Sequence, residues 1–159
     1  MRKLSVLMVC TANICRSPMA AGLLLHLLKQ HGLAKQVRVD SAGIRAIKGY
    51  RPDPRAQEAV KKIGVDIGSM RARSIKNEDY SNFDLILCMD EVHYVALREQ
   101  CPEEHRHKIV LIMDFAPQND QREVPDPYFG NASGFERVRG LLEAANHGVV
   151  KHLRDEFTL

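Results

Sequence analysis

"LSVLMVCTANICRSPMAAGLLLHLLK", residues 4–29, contains an apolar run, a short polar loop and a periodic apolar stretch in direct succession. The run over 4–9 predicts a buried β-strand, and leucines and alanines at three- and four-residue steps predict a helix over about 18–31. Ser17 followed by Pro18 is typical of a helix N-cap and a first helical position. The stretch therefore predicts a strand, a loop and a helix whose N-terminus faces that loop.

The same alternation of strand and helix patterns continues along the chain. Strands that alternate with helices favour right-handed crossovers and a parallel sheet that is covered on both faces. We therefore predict an α/β fold with a small doubly wound four-stranded parallel sheet, forming a single domain over 1–159. The further strands are predicted at 37–41, 83–88 and 108–112, and the further helices at about 53–64, 90–100 and 133–157.

The composition is that of an ordinary globular protein, with 45% hydrophobic residues, 27% charged residues and a net charge of +3. The basic residues form no tract, so nucleic-acid binding is not expected, and a small anionic substrate would need only a local positive site. The opening "MRKLSVLMVC" is too short and too interrupted for a secretory signal. We expect a cytoplasmic protein that does not bind membranes.

Two long irregular connections stand out, at 43–55 and 114–131. Loops of that length in a compact domain are usually functional. In an open α/β sheet, ligands bind beyond the carboxyl ends of the strands. We therefore expect both connections to lie on one rim with the loop that follows the first strand.

The loop after the first strand combines a thiol with a guanidinium at a helix N-terminus. Backbone N–H groups and the helix dipole converge there, which makes an anion site and favours the thiolate of Cys10. Arg16 can bind two oxygens of a phosphoryl group, Ser17 can stabilise the sulfur as a leaving group, and Asn13 can hold the loop backbone in a strained shape. The predicted phosphate-binding residues beside Cys10 and Arg16 are Thr11, Ala12, Asn13, Ile14, Cys15 and Ser17.

The segment "CTANICRS" (10–17) is similar to the Cys-x5-Arg-Ser/Thr loop of protein tyrosine phosphatases, and its N-terminal position with Asn13 and Cys15 inside resembles the low-molecular-weight family. The resemblance implies hydrolysis of phosphotyrosine and small aryl phosphates through a cysteinyl-phosphate. It implies no metal or organic cofactor, a phosphotyrosine-containing protein such as a tyrosine kinase as partner, and inorganic phosphate as product. The likeness continues in the family's order through "DSAG" (40–43), "PDPRA" (52–56), "RAR" (71–73), "FDLILCMD" (83–90) and "VPDPYFG" (124–130).

Expulsion of the alcohol from a phosphate ester needs a proton donor, and a carboxylic acid can later activate the attacking water. The sequence "PDP" occurs at both Asp53 and Asp126, and either could be turn chemistry alone. The resemblance separates them, because the family's general acid lies in an Asp-Pro-Tyr loop after strand four, which Asp126 matches. Asp53 is expected to cap the helix that follows it.

Residues that shape the cleft are less well defined by the sequence. Tyr128 would line the cleft and stack on an aromatic leaving group, or would pack against the rim. The family commonly has an aromatic wall in the loop after "SAG", and here either Ile47 or Tyr50 must serve because the chain has no tryptophan. Met70 stands where many members have a histidine, which puts in doubt a buried hydrogen bond near the phosphate-binding loop.

Two related activities share the resemblance. Arginine phosphatases carry a threonine where Ile14 stands, and an aliphatic side chain favours packing on a flat aromatic ring, so Ile14 favours phosphotyrosine. Thioredoxin-coupled arsenate reductases keep a redox cysteine where Cys88 lies, but they need another where this chain has Val95. Cys88 is therefore expected to be a buried strand residue.

Two further alternatives have less support. A non-enzymatic anion-binding domain is disfavoured because Cys10, Arg16 and Asp126 are all present. A metal site built from Cys101, His105 and His107 fits no familiar spacing. The segment "EEHRH" (103–107) is expected to be a solvated turn.

The second cysteine of the loop raises a redox hypothesis. Because the loop curls, oxidation of the Cys10 thiolate could be trapped as a disulfide with Cys15, which would protect the nucleophile from irreversible oxidation. Alternatively, Cys15 packs beneath the loop without a redox role.

Overall fold

The fold is built on four parallel strands, seen in a computed structural model that describes residues 3–157 and 159. The strands are β1 Leu4–Cys10, β2 Val37–Gly43, β3 Leu85–Cys88 and β4 Ile109–Leu111. They lie in the order β2-β1-β3-β4, which confirms the predicted four-stranded parallel sheet. Every residue of β1 is buried, as expected for a central strand covered on both faces.

Helices cover both faces of this sheet. They are α1 Arg16–Gln30, α2 Pro54–Lys61, α3 Asp79–Asn82, α4 Glu91–Gln100 and α5 Ala132–Phe157, with 3₁₀ helices at Glu103–Lys108 and Ile112–Phe115. Because side chains alternate along a strand, β1 contributes to two core clusters. Val6 and Met8 pack with α1, α2 and α5, whereas Leu7 and Val9 pack with α3 and α4. The doubly wound arrangement is therefore confirmed.

Several boundaries differ from the sequence prediction. The predicted N-cap at Ser17 is wrong, since α1 begins at Arg16 with Cys15 at the N-cap position, and the Ser17 hydroxyl lies against a sulfur instead. Residues 103–107 belong to a 3₁₀ helix without buried residues, so the segment is solvated but is not a simple turn. The cap at Asp53 is confirmed, because its carboxylate accepts a hydrogen bond from the Arg55 N–H at 2.8 Å.

The end of β2 packs directly under the loop that follows β1. A Cβ atom at Gly43 would lie 2.6 Å from the carbonyl oxygen of Thr11 and 3.0 Å from the backbone nitrogen of Asn13. Only glycine allows this close backbone approach. Gly43 thus fixes the loop against the sheet edge, and its N–H donates to the Arg73 carbonyl at 2.9 Å.

Within residues 3–157 and 159, none of the helices combines the length and the apolar character needed to cross a bilayer.

Candidate active site

The backbone of the loop after β1 is held by hydrogen bonds from outside it. Asn13 has a φ of 59°, the left-handed conformation that asparagine tolerates better than most residues. Three carbonyl groups of the loop accept hydrogen bonds from outside it, so the N–H groups of the same peptides face the centre of the curl, as in an anion-binding nest. The carbonyl oxygens of Cys10, Thr11 and Ile14 accept from the N–H groups of Ile44, Arg45 and Asp53 at 2.9, 2.8 and 2.8 Å.

The buried side chain of Asn13 stabilises this curl. Its Nδ2 donates to the hydroxyls of Ser17 and Ser41 at 2.8 and 2.9 Å, and its Oδ1 accepts from the Arg73 N–H at 3.0 Å. These bonds are made without a histidine at position 70, where Met70 packs against the core instead. Asn13 therefore makes its hydrogen bonds although position 70 is a methionine.

The Cys10 sulfur lies at the buried end of a cleft and receives two hydrogen-bonding groups from Ser17. Cys10 is 2% exposed. Its Sγ lies 3.0 Å from the Ser17 hydroxyl and accepts from the Ser17 N–H at 3.4 Å. Asn13 donates to that hydroxyl oxygen, and the sulfur at 3.0 Å is a nearer acceptor for the hydroxyl proton than the Ala42 carbonyl at 3.4 Å. Both contacts stabilise negative charge on Cys10.

Arg16 is only 3% exposed and is held by two acceptors on other elements. Its Nη1 donates to Oδ2 of Asp90 at 2.8 Å and to the Val124 carbonyl at 2.9 Å. Burial opposes ionisation of Asp90, but hydrogen bonds from the His93 N–H and from Arg16 outweigh it and lower the pKa of this carboxyl. Asp90 thus fixes the guanidinium as a charged partner, a role that the sequence analysis missed.

Asp126 lies near the other terminal nitrogen of the same guanidinium. Its Oδ2 lies 3.9 Å from Nη2 of Arg16, and its Oδ1 accepts from the Tyr128 N–H at 3.1 Å. Arg55 supports this loop, since its guanidinium lies 5.5 Å from the Tyr128 ring centroid and donates to the Gly130 carbonyl at 3.2 Å. The loop after β1 and the loop that carries Asp126 therefore meet at one site.

The cleft between these loops has a volume of about 330 Å³. Ile47 and Tyr50, which were offered as alternatives, both line it, and so does Tyr128. Arg45 and the exposed Phe129 also line the cleft and were not expected; each lies in a long connection that was predicted to reach the rim. The complete lining is Cys10, Thr11, Ala12, Ile14, Cys15, Arg16, Arg45, Ile47, Tyr50, Asp126, Tyr128 and Phe129.

Comparison with known proteins agrees with this geometry. Residues 5–158 match the family model described as low molecular weight phosphotyrosine protein phosphatase. The chain belongs to this family. The human low molecular weight phosphotyrosine protein phosphatase is 39% identical over 153 residues, which cover 89% of this chain and 96% of the human one. The predicted family and the predicted class of enzyme, a cysteine-dependent phosphatase, are confirmed.

Solved structures extend the likeness to the fold. A protein tyrosine phosphatase from Entamoeba histolytica superposes with a TM-score of 0.92 at 35% identity, over 99% of this chain and 100% of that one. YwlE arginine phosphatase superposes with a TM-score of 0.86 at 26% identity, over 95% of this chain and 96% of that one. An arginine phosphatase, the alternative activity considered from the sequence, therefore has the same fold as this chain.

The remaining cysteines of this low molecular weight phosphatase differ from Cys10 in their surroundings. Burial and then the nearby Asp53 raise the pKa of Cys15 to about 12, and burial also raises the pKa of Cys88 to about 12. Cys88 is fully buried at the end of β3, which confirms its assignment as a strand residue. Burial raises the pKa of Cys101 as well. These three thiols are therefore protonated at neutral pH.

In the part of the chain that the structure describes, 3–157 and 159, no group of three or more His, Cys, Asp or Glu side chains is arranged to hold a metal ion. Cys101, one member of the metal site considered from sequence, instead donates to the Pro102 carbonyl at 3.3 Å.

Proposed function

We propose that this family member is a protein tyrosine phosphatase that hydrolyses phosphotyrosine and small aryl phosphates through a cysteinyl-phosphate intermediate. The proposal rests on one observation above all: the Cys10 sulfur, with two donor groups from Ser17, lies beneath a cleft that also contains Arg16 and Asp126. We propose further that 1–159 acts as one catalytic domain and works without a metal or an organic cofactor.

In the first step, the Cys10 thiolate attacks phosphorus as the bond to the leaving oxygen breaks. The Arg16 guanidinium binds two non-bridging oxygens with its planar fork. Asp126 donates its proton to the leaving oxygen, so the phenol departs neutral. The backbone amides of the loop bind the remaining negative charge of the phosphoryl group. These amides belong to Thr11, Ala12, Asn13, Ile14, Cys15 and Ser17.

In the second step, water replaces the sulfur. Asp126, now a carboxylate, accepts a proton from that water as its oxygen attacks phosphorus. The sulfur–phosphorus bond breaks, the electron pair returns to Cys10, and inorganic phosphate is released. The Ser17 hydroxyl stabilises the departing thiolate from 3.0 Å.

The walls of the cleft favour an aromatic leaving group. Ile47, Tyr50 and Tyr128 provide flat or apolar surface at the exposed end of the cleft, and Ile14 provides aliphatic surface on the phosphate-binding loop itself. The aliphatic surface of Ile14 packs well against a phenyl ring and supplies no acceptor for the N–H groups of phosphoarginine. Phosphotyrosine is therefore the proposed substrate, and phosphoarginine is the competing one, since YwlE shares the scaffold.

The protein partner is proposed at the level of its chemistry. Membership of the family implies a phosphoprotein substrate and inorganic phosphate as product. We propose a cytoplasmic phosphotyrosine-containing protein, such as a tyrosine kinase, with no role for nucleic acids or membranes. Free cysteines at positions 10, 15, 88 and 101 fit a reducing compartment.

Turnover on matched peptides that carry phosphotyrosine, phosphoserine or phosphoarginine tests the proposal, with Cys10→Ser as the blank. Phosphotyrosine should have the highest kcat/KM, vanadate and phosphate should inhibit, and chelators should have no effect. In Ile14→Thr the preference for phosphotyrosine over phosphoarginine should fall by roughly tenfold, the scale of losing small apolar contacts. A wild-type preference for phosphoarginine would overturn the assignment.

A further inference from the structure

A buried histidine lies between the two ends of the phosphate-binding loop. His93, on the first turn of α4, is 2% exposed. Its Nε2 lies 2.8 Å from the Thr11 hydroxyl, and its Nδ1 lies 3.1 Å from Oδ1 of Asp90. The other oxygen of Asp90 accepts from Arg16. His93 thus contacts Thr11 at the start of the loop directly, and it reaches Arg16 at the end of the loop through the Asp90 carboxylate.

The proton on this imidazole can be placed from its surroundings. Burial lowers the pKa of His93 from 6.5, despite the opposing effect of Asp90, so the ring is neutral at neutral pH. A lone pair on Nδ1 would face a carboxylate oxygen 3.1 Å away, which is repulsive, so Nδ1 carries the hydrogen. Nε2 is then an acceptor, and the Thr11 hydroxyl donates to it.

The Nδ1–H group approaches Asp90 without the alignment of a hydrogen bond, and this buried nitrogen has no other partner in the described chain. Its interaction with the carboxylate is therefore an attraction between a dipole and a charge. Oδ1 of Asp90 also accepts from the His93 backbone N–H at 3.0 Å. The position of Asp90, and with it that of Arg16, therefore depends on the ring Nδ1–H and on the backbone N–H of His93.

We propose that His93 is a positioning residue of the phosphatase site, holding the Thr11 hydroxyl through Nε2 and the Asp90–Arg16 pair through Nδ1–H. The proposal rests on the proposed function for its kinetic consequences. His93 does not line the cleft and acts only through Thr11 and Arg16. It keeps the two ends of the loop at the spacing that a phosphoryl group requires.

Two substitutions separate the polar contacts of His93 from its bulk. His93→Phe keeps a flat ring and loses both contacts, and kcat on a phosphotyrosine peptide should fall about tenfold, the scale of one buried hydrogen bond left unmade. The dissociation constant for inorganic phosphate should rise as well, because Arg16 is less well oriented. His93→Gln, whose amide oxygen can accept from Thr11, should recover most of both losses. His107→Gln, at an exposed position, is the matched control and should behave as wild type.

A double-mutant cycle with Thr11→Val tests whether the histidine acts through Thr11. In the Thr11→Val background, His93→Phe should lower kcat by clearly less than it does in wild type, because the Thr11 hydroxyl and His93 share one contact. Additive effects would overturn the proposal, and so would equal activities of the Gln and Phe variants. A kcat and a phosphate affinity for His93→Phe within twofold of wild type would overturn it too.

The tautomer gives a test that needs no turnover. Nitrogen NMR of the wild-type imidazole should report hydrogen on Nδ1 and a lone pair on Nε2, and the Nε2 signal should shift in Thr11→Val. Hydrogen on Nε2, or on both nitrogens at neutral pH, would overturn the proposal. If wild type binds phosphate and shows the expected tautomer but does not hydrolyse phosphotyrosine, the proposed function fails and the positioning role stands.

Discussion

The Asp126 carboxylate lies 3.9 Å from the Arg16 guanidinium, and the two side chains are 46% and 4% exposed. The carboxylate therefore lies on the open side of the cleft, and the guanidinium lies next to the buried Cys10 loop. A phosphate ester bound by Arg16 would have its leaving oxygen toward the open side, within reach of Asp126. The acid and the nucleophile would then act from opposite sides of one phosphorus atom.

Asp126→Asn should lose turnover and keep anion binding. An amide cannot donate a carboxylic proton or activate water, so kcat should fall by about a hundredfold or more, the contribution of a positioned acid. The dissociation constant for vanadate should stay within a fewfold of wild type, because Arg16 and the loop remain. Steady-state kinetics and vanadate titration measure the two quantities.

The second "PDP" motif of the chain supplies the control for that substitution. Asp53→Asn preserves a good helix cap but loses the carboxylate charge that pairs with Arg55 at 2.9 Å, so kcat should fall by far less than in Asp126→Asn. A mutant Asp126→Asn as active as Asp53→Asn would mean that the acid is misassigned.

Ser17→Ala should slow the breakdown of the phosphoenzyme more than its formation. The alanine lacks the hydroxyl that lies 3.0 Å from Cys10 Sγ, so the departing thiolate is less well stabilised and the second step should slow by roughly tenfold. Stopped-flow assays with a chromogenic aryl phosphate should then show a burst of phenol equal to the enzyme concentration. Ser81→Ala, at an exposed position, is the control. Wild-type kinetics in Ser17→Ala would remove Ser17 from the mechanism.

Local sequence pattern was sufficient for the sheet and for the loop chemistry. The buried run of β1 and the periodicity of α1 define their own structure, and Cys10 and Arg16 lie at the two ends of the short loop between them. The four residues of α3 were missed because a segment that short contains no full period of apolar side chains. The last strand is shorter than predicted because the chain enters a 3₁₀ helix at Ile112.

The supporting residues of the site could not be predicted in the same way. Asp90 lies 74 positions from Arg16 along the chain, and His93 lies 82 positions from Thr11. Their contacts arise only because parallel strands bring the first turn of α4 beside the loop after β1. The position of Asp90 at the start of a helix indicates only a helix cap, and its further hydrogen bond, from Arg16, forms only when the sheet is folded.

Oxidation of the site by peroxide should be more fully reversible when Cys15 is present. Because the pKa of Cys15 is about 12, this cysteine stays a thiol, and Cys10 is oxidised first to a sulfenic acid. The Cys15 sulfur then attacks the Cys10 sulfur as its proton is transferred to the departing hydroxyl, so a disulfide forms and water is released. After peroxide and dithiothreitol, wild type and the control Cys101→Ser should recover more activity than Cys15→Ser, and mass mapping should find the Cys10–Cys15 pair. Equal recovery in Cys15→Ser would exclude this protection.

Mild acid should weaken the fold partly through His93. The pKa of the folded imidazole is below 6.5, so the unfolded chain binds more protons between that value and 6.5, and stability falls as the pH drops through this range. Asp90, Asp126 and Glu123 oppose this shift, whereas Arg16 adds to it. The free energy of unfolding from urea titrations at about pH 7 and about pH 5 should fall less in His93→Gln than in wild type. An equal fall in both proteins would contradict the buried neutral ring.

Capture of the phosphoryl group on the enzyme tests the central role of Cys10 most directly. Wild-type protein that is turning over an aryl phosphate is quenched rapidly, digested and analysed by mass spectrometry, with Ser17→Ala as a variant that should accumulate more intermediate. One phosphoryl group should be found on the sulfur of Cys10, and none on the enzyme after prior alkylation of Cys10. Continued hydrolysis by the alkylated enzyme, with no phosphorylated cysteine at any stage, would contradict the mechanism.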